Sequence, residues 1–251
     1  MARTPVLIEA CVDSVESALA AERGGADRIE LCDNLAEGGT TPSAGTIEEC
    51  RDRLGIPIYV MIRPRGGDFC YSAAELAVMR RDIAYAHAMG ADGVVLGILK
   101  RDGTVDTSRT RALVELARPL DVTFHRAIDV CRDAEEALDA LIAIGVDRVL
   151  TSGQAPTALK GAAVIARLVR RAAGRIAILP GGGIDETNVR KLVERTGARE
   201  VHVRGTSPVK SRMAHRSRRV RFRSAGRADD YVLDVTDARR IRRIARLLQS
   251  R

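Results

Sequence analysis

Eight short apolar runs recur along the 251-residue chain, and helix-like segments fill the space between them. The runs begin near residues 6 (VLIEACV), 27 (DRIELCD), 56 (IPIYVMIR), 92 (DGVVLGIL), 121 (DVTFHRA), 147 (DRVLTSG), 175 (RIAILPGGG) and 199 (REVHVRG). Their starts lie 21 to 36 residues apart, enough for one strand and one crossover helix. The helical spacing falls over 14–23, 43–54, 72–89, 106–117, 133–144, 157–173, 185–196 and 237–250. Start signals stand at Ser14, at Ser72 three residues before Glu75, and at Asp185. Most segments end at a glycine, such as Gly25, Gly55, Gly90, Gly145, Gly174 and Gly197. Strands alternating with helices make a parallel sheet. Eight such units in this length predict an α/β fold, a closed (β/α)8 TIM barrel, rather than an open doubly wound sheet. Gly181, Gly182 and Gly183 follow the seventh run and not the first, which speaks against a dinucleotide fingerprint. The whole of 1–251 reads as one domain, with a basic irregular insertion at 206–236 after the eighth strand.

Composition narrows the function classes. At 45% hydrophobic residues the chain can bury a large core, which excludes whole-chain disorder. No apolar run approaches the roughly 20 residues of a membrane span, and the opening MARTPVLIEACVDS carries no signal-peptide core. The cysteines at 11, 32, 50, 70 and 131 are odd in number and form no CxxC, which predicts a reducing, cytoplasmic setting. The net charge of +8 invites a nucleic-acid partner, but nine basic and no acidic residues fall within 201–228. The remainder holds 32 basic and 33 acidic residues, so the excess is local; with aromatics at 3%, nucleic-acid binding is not expected.

In a (β/α)8 barrel the working groups sit at the C-terminal strand ends. Polar residues there are informative, because strands buried on both faces are otherwise apolar. Glu9 with Cys11, and Glu30 with Cys32, stand two apart on the first two strands and therefore share the inward face. Arg63 ends the third strand, with Arg65 beyond it; His125 ends the fifth; Thr151-Ser152-Gly153-Gln154 end the sixth; His202 lies on the eighth. Singly, each also fits a structural role, as a buried thiol, a satisfied histidine or half of an ion pair. Together they are too polar to be filler. If the ring is catalytic, Glu9, Glu30, Arg63 and His125 supply the acid–base groups. Arg65, Ser152, Gly181, Gly182, Gly183 and His202 would cradle a small anionic metabolite, the glycine turn resembling the phosphate cup of many barrels. The thiols suit a soft ion, Cu(I) or Zn(II), and too few cysteines gather for a zinc site built from four thiolates. Equal offsets from their carboxylates predict that Cys11 and Cys32 sit at one height, with sulfurs roughly 4 to 5 Å apart.

Longer motifs add a resemblance. EACVDSVESALAAERGGADRIELCDNLAEGGTTPS (9–43), VMIRPRGGDFCYS (60–72), VTFHRAID (122–129), RVLTSG (148–153) and LPGGGI (179–184) resemble the CutC family, the copper homeostasis proteins, from residue 7 to about 203. That resemblance implies a cytoplasmic (β/α)8 barrel that forms a homo-oligomer, a dimer or tetramer, and a Cu(I) site formed by the cysteines that match Cys11 and Cys32. Where relatives continue with a Ser-Ala-like turn after the eighth strand, this chain reads Val203-Arg204-Gly205-Thr206 and enters the basic segment.

Overall fold

The computed structural model describes residues 6–217, 219–220, 222 and 229–249. Strands β1 (Leu7–Val12), β2 (Arg28–Leu31), β3 (Ile58–Met61), β4 (Gly93–Leu96), β5 (Asp121–Phe124), β6 (Arg148–Thr151), β7 (Ala177–Pro180) and β8 (Glu200–Val203) form one sheet. All of its pairs are parallel, in the order β7-β6-β5-β4-β3-β2-β1-β8. A parallel bridge between Gly181 and His202 joins the β7 side to β8 and draws the ring shut. Around it run α1 (Val15–Gly24), α2 (Ala44–Arg53), α3 (Ala73–Ala88), α4 (Thr107–Ala117), α5 (Ala134–Ala143), α6 (Ala162–Ala172), α7 (Val189–Thr196) and α8 (Ala238–Gln249). The architecture is the TIM barrel expected from the eightfold alternation.

Local chemistry explains the helix ends. Ser72 accepts from the Glu75 amide while the Glu75 side chain returns to the Ser72 amide, so α3 starts in a complete capping box. Ser14 caps α1 through the Ser17 amide. Asp185 does not cap α7: it closes a turn with Thr187, and the helix begins after Asn188. Likewise α6 starts at Ala162, because the residues after β6 fold into turns before the helix.

Outward-facing strand residues (Ile8, Ile29, Ile58, Val60, Val94, Val122, Phe124, Val149, Val201) pack against the helices in one continuous core. The expected irregular stretch 206–236 departs from its reading at both ends. Thr206–Lys210 (β9) pairs antiparallel with Val232–Thr236 (β10) in a two-stranded ribbon. Alternation is weak there, and exposed Val209 and Leu233 leave no buried face for a pattern to report. The ribbon returns the chain to α1, where the Thr236 amide donates to Ser17 Oγ and α8 packs with Ile241 fully buried. The basic residues Arg218, Arg221, Arg223 and Arg227 of this segment lie outside the described residues.

Candidate metal and ligand site

The barrel interior begins, at the N-terminal ends of the strands, with an ionic layer. Arg28 donates from Nε to Glu9 Oε2 at 2.5 Å and from NH2 to Glu200 Oε2 at 2.7 Å. Arg148 reaches the same Glu200 carboxylate at 2.6 Å. Both guanidinium groups stack on the Tyr59 ring, at 5.0 and 5.3 Å, and the Tyr59 hydroxyl donates to Asp121. Tyr59 fits there because Gly93 has no side chain, since a Cβ would fall 2.8 Å from the ring. The sequence reading misses Arg28, Arg148 and Glu200. Each stands at a strand start, where an Arg or Glu is indistinguishable from the polar residues of the helix-to-strand turn. Counting back two residues from Glu30 and from His202 reaches Arg28 and Glu200 on the inward face.

Above this layer lies the thiol cluster. Strands β1 and β2 pair with Glu9 opposite Arg28 and Cys11 opposite Glu30. The two strands are thus staggered by two residues, which corrects the expectation of equal height for the cysteines. A closed barrel requires such a shear, and equal offsets along two strands do not translate into equal height. Tilt still brings the side chains together. The ligand atoms of Cys11, Glu30 and Cys32 lie within 4.8 Å of one another, as do those of Glu9, Glu30 and His202. Cys32 Sγ donates to Glu30 Oε2 at 3.4 Å, and His202 shares Nδ1 with Glu9 Oε1 at 2.7 Å while its Nε2 stands 3.8 Å from Glu30.

Electrostatics follow from this packing. Burial pushes the Glu9 carboxyl up, but Arg28 and His202 outweigh it and hold the group at about 2. Contact with Cys32, aided by His202, keeps the Cys11 thiol well below the usual range despite burial. The same contact, together with burial and Glu30, pushes Cys32 well above it. Burial and the neighbouring Cys11 raise Glu30. Burial opposes the His202 cation, but Glu30, Cys11 and Glu9 raise the imidazole well above its normal value. The two cysteines are thus driven in opposite directions, Cys11 toward the thiolate and Cys32 away from it.

A cavity of about 310 Å³ opens above the cluster, lined by Cys11, Glu30 and His202 on its floor and by Arg63, His125 and Phe69 on one wall. Arg63 forms no ion pair with Glu9, and Arg126 forms none with Glu30. Arg63 donates to the carbonyls of Glu37, Gly39 and Gly67 at 2.7 to 2.8 Å and stacks on Phe69. Arg126 binds Asp129 and Ser152. His125 is seated by Gly97, where a Cβ would come within 2.5 Å of the ring. The Ala127 amide donates to its Nδ1, which leaves the proton on Nε2. Burial, and then Arg63, lower the His125 imidazole to about 3, so the ring is neutral.

Of the residues expected to hold an anion, Gly182, Gly183 and His202 line this cavity. Arg65 does not. It is spent on Glu75, Asp68 and the Cys70 carbonyl, and it borders a separate surface cleft. Ser152 is buried and engaged with Asp129, Arg126 and the Ala155 carbonyl, and Gly181 serves the β7–β8 closure.

The profile of the CutC family matches residues 6–207. The chain belongs to the CutC family. The human copper homeostasis protein cutC homolog is 49% identical over 236 residues, covering 94% of this chain and 86% of that one. A CutC family protein from Xanthomonas axonopodis pv. citri is 55% identical over 195 residues, covering 78% of this chain and 81% of its own. A solved structure from Streptococcus agalactiae that carries the CutC name superimposes with a TM-score of 0.76 at 37% identity, covering 79% of this chain and 98% of that chain. N-(5'-phosphoribosyl)anthranilate isomerase from Pyrococcus furiosus superimposes at 0.57 with 14% identity, and that likeness shows the barrel fold alone. Among the described residues of this CutC chain, no helix is long and apolar enough to cross a membrane.

Proposed function

We propose that this CutC-family chain binds Cu(I) between Cys11 and Cys32, at the floor of the barrel-mouth cavity, in a reducing cytoplasm. One observation carries the reading: two free thiols with ligand atoms within 4.8 Å, one of them on the cavity wall. Thiolates select Cu(I), which is satisfied by two soft ligands, whereas Zn(II) takes four. Glu9 is no competitor for the ion, because Arg28 and His202 already occupy its oxygens. Cu(I) is held by thiolates, so a thiol proton remaining on either cysteine leaves as the metal enters. Binding therefore releases protons and tightens as the pH rises.

The test is an anaerobic competition titration of metal-free protein against a Cu(I)-chelating dye, at several pH values. The wild type should take one Cu(I) per chain, and Cys11→Ser with Cys32→Ser should lose it while the circular dichroism stays unchanged. Equal Cu(I) binding by the double variant, or a preference for Zn(II) over Cu(I) in the wild type, overturns the proposal.

A further inference from the structure

Among the described residues, three buried arginines face the barrel interior or its mouth, and they are not compensated alike. Arg28 and Arg148 share the Glu200 carboxylate, and Arg28 also holds Glu9. Arg63, only 4% exposed, is held by backbone carbonyls, and among the described residues no carboxylate forms an ion pair with it. Carbonyls orient a guanidinium but do not neutralise it, and a buried charge is costly without a counter-charge. Its Nε makes no well-formed hydrogen bond, and the Tyr71 hydroxyl interacts with this same guanidinium.

His125 is incomplete in the same way. The ring is 3% exposed, Nδ1 is used, and the Nε2–H donor has no acceptor. Phe69 contacts both groups, 4.9 Å from the Arg63 guanidinium carbon and 4.8 Å from the His125 ring centre. Both residues line the same cavity, with Leu35, Met61, Leu150 and Ile184 giving it apolar walls. Unsatisfied buried donors are rare in native structures, and each costs free energy.

We propose that this cavity binds a small organic carboxylate, with its oxygens taken by Arg63 and by His125 Nε2. One cation and one neutral donor match a single negative charge. A phosphate dianion needs more donors, and the hydroxyl of Ser152, whose side chain lies against Gly182, is already spent. The apolar walls take the carbon skeleton, and a volume of about 310 Å³ restricts the ligand to a small metabolite. Arg204, exposed at the cavity rim, favours the approach of anions. None of these contacts uses a cysteine, so the carboxylate site stands or falls separately from the copper site.

The experiment is calorimetry on chelated, metal-free protein with lactate, isobutyrate and succinate as probes, with inorganic phosphate in parallel and chloride setting the ionic strength. At least one carboxylate should bind 1:1 and move the Nε2 resonance of 15N-labelled His125. His125→Phe, which keeps the ring stack, should weaken it by about tenfold or more, the factor a hydrogen bond to a charged group carries. Arg63→Gln should abolish binding. Should Arg63→Gln fail to fold, the His125 variant and the resonance shift decide the matter. Phosphate binding without carboxylate binding, no binding by any probe, or wild-type affinity in His125→Phe each overturns the proposal.

Discussion

Replacing Arg28 by Met removes the charge that organises the lower barrel while keeping most of the volume of the stem. Arg28 is 3% exposed and holds Glu9 at 2.5 Å and Glu200 at 2.7 Å. After the substitution Glu200 keeps Arg148, but Glu9, fully buried, keeps only His202. Breaking a buried pair by deleting one partner costs about 3 to 5 kcal/mol, because a carboxylate is left uncompensated in the interior. Against a total stability of about 5 to 15 kcal/mol that is a large fraction. At about 2 to 4 °C per kcal/mol for a chain of this size, the midpoint should fall on the order of 10 °C. The chain has no Trp, so urea unfolding is followed by far-UV circular dichroism. Arg171→Met is the matched control: its pairs with Glu135 and Asp139 are exposed and worth less than about 1 kcal/mol. If Arg28→Met costs no more than Arg171→Met, the ionic layer does not hold the barrel and the reasoning fails.

Two further outcomes follow from the same geometry. Glu9 is held at about 2, below its ordinary 4.5, so its contribution is fully present above pH 4.5 and is lost as pH falls toward 2. A shift of that size in a fully buried group is worth about 3 kcal/mol. Acid titration of stability in a Glu186→Gln background, which removes the other glutamate held at about 2, should show that loss. A flat profile between pH 4.5 and 2 contradicts it. Gly97→Ala would place a Cβ 2.5 Å from the His125 ring, so it should destabilise by about 1 to 3 kcal/mol and shift the His125 resonances; wild-type stability with an unmoved ring would contradict the close approach.

The fold was legible because βα alternation writes itself into hydropathy: each inward–outward strand and each amphipathic helix repeats with its own period. The polar inward positions Glu9, Cys11, Glu30, Cys32 and His202 were legible for the same reason. What escaped were relations between strands. Which carboxylate Arg28 meets depends on the two-residue stagger of β1 against β2, and no single strand encodes that number. Arg63 was placed at the right strand end, but its partners are carbonyls of the loop after β2 and of its own loop, and backbone acceptors leave no mark in residue types. Arg65 read in sequence as an anion-binding residue. Its ties to Asp68 and Glu75 within ten residues make it a local brace instead. The β9–β10 ribbon stayed invisible because its side chains are largely exposed and its two strands are far apart in sequence.

The copper site is tested most directly by X-ray absorption at the copper edge on the wild-type protein loaded anaerobically with one equivalent of Cu(I). The account predicts a nearest coordination shell dominated by two sulfur scatterers, supplied by Cys11 and Cys32, and its disappearance in the Cys11→Ser, Cys32→Ser protein. A nearest shell of nitrogen and oxygen in the wild type, or an unchanged spectrum in the double variant, would contradict it.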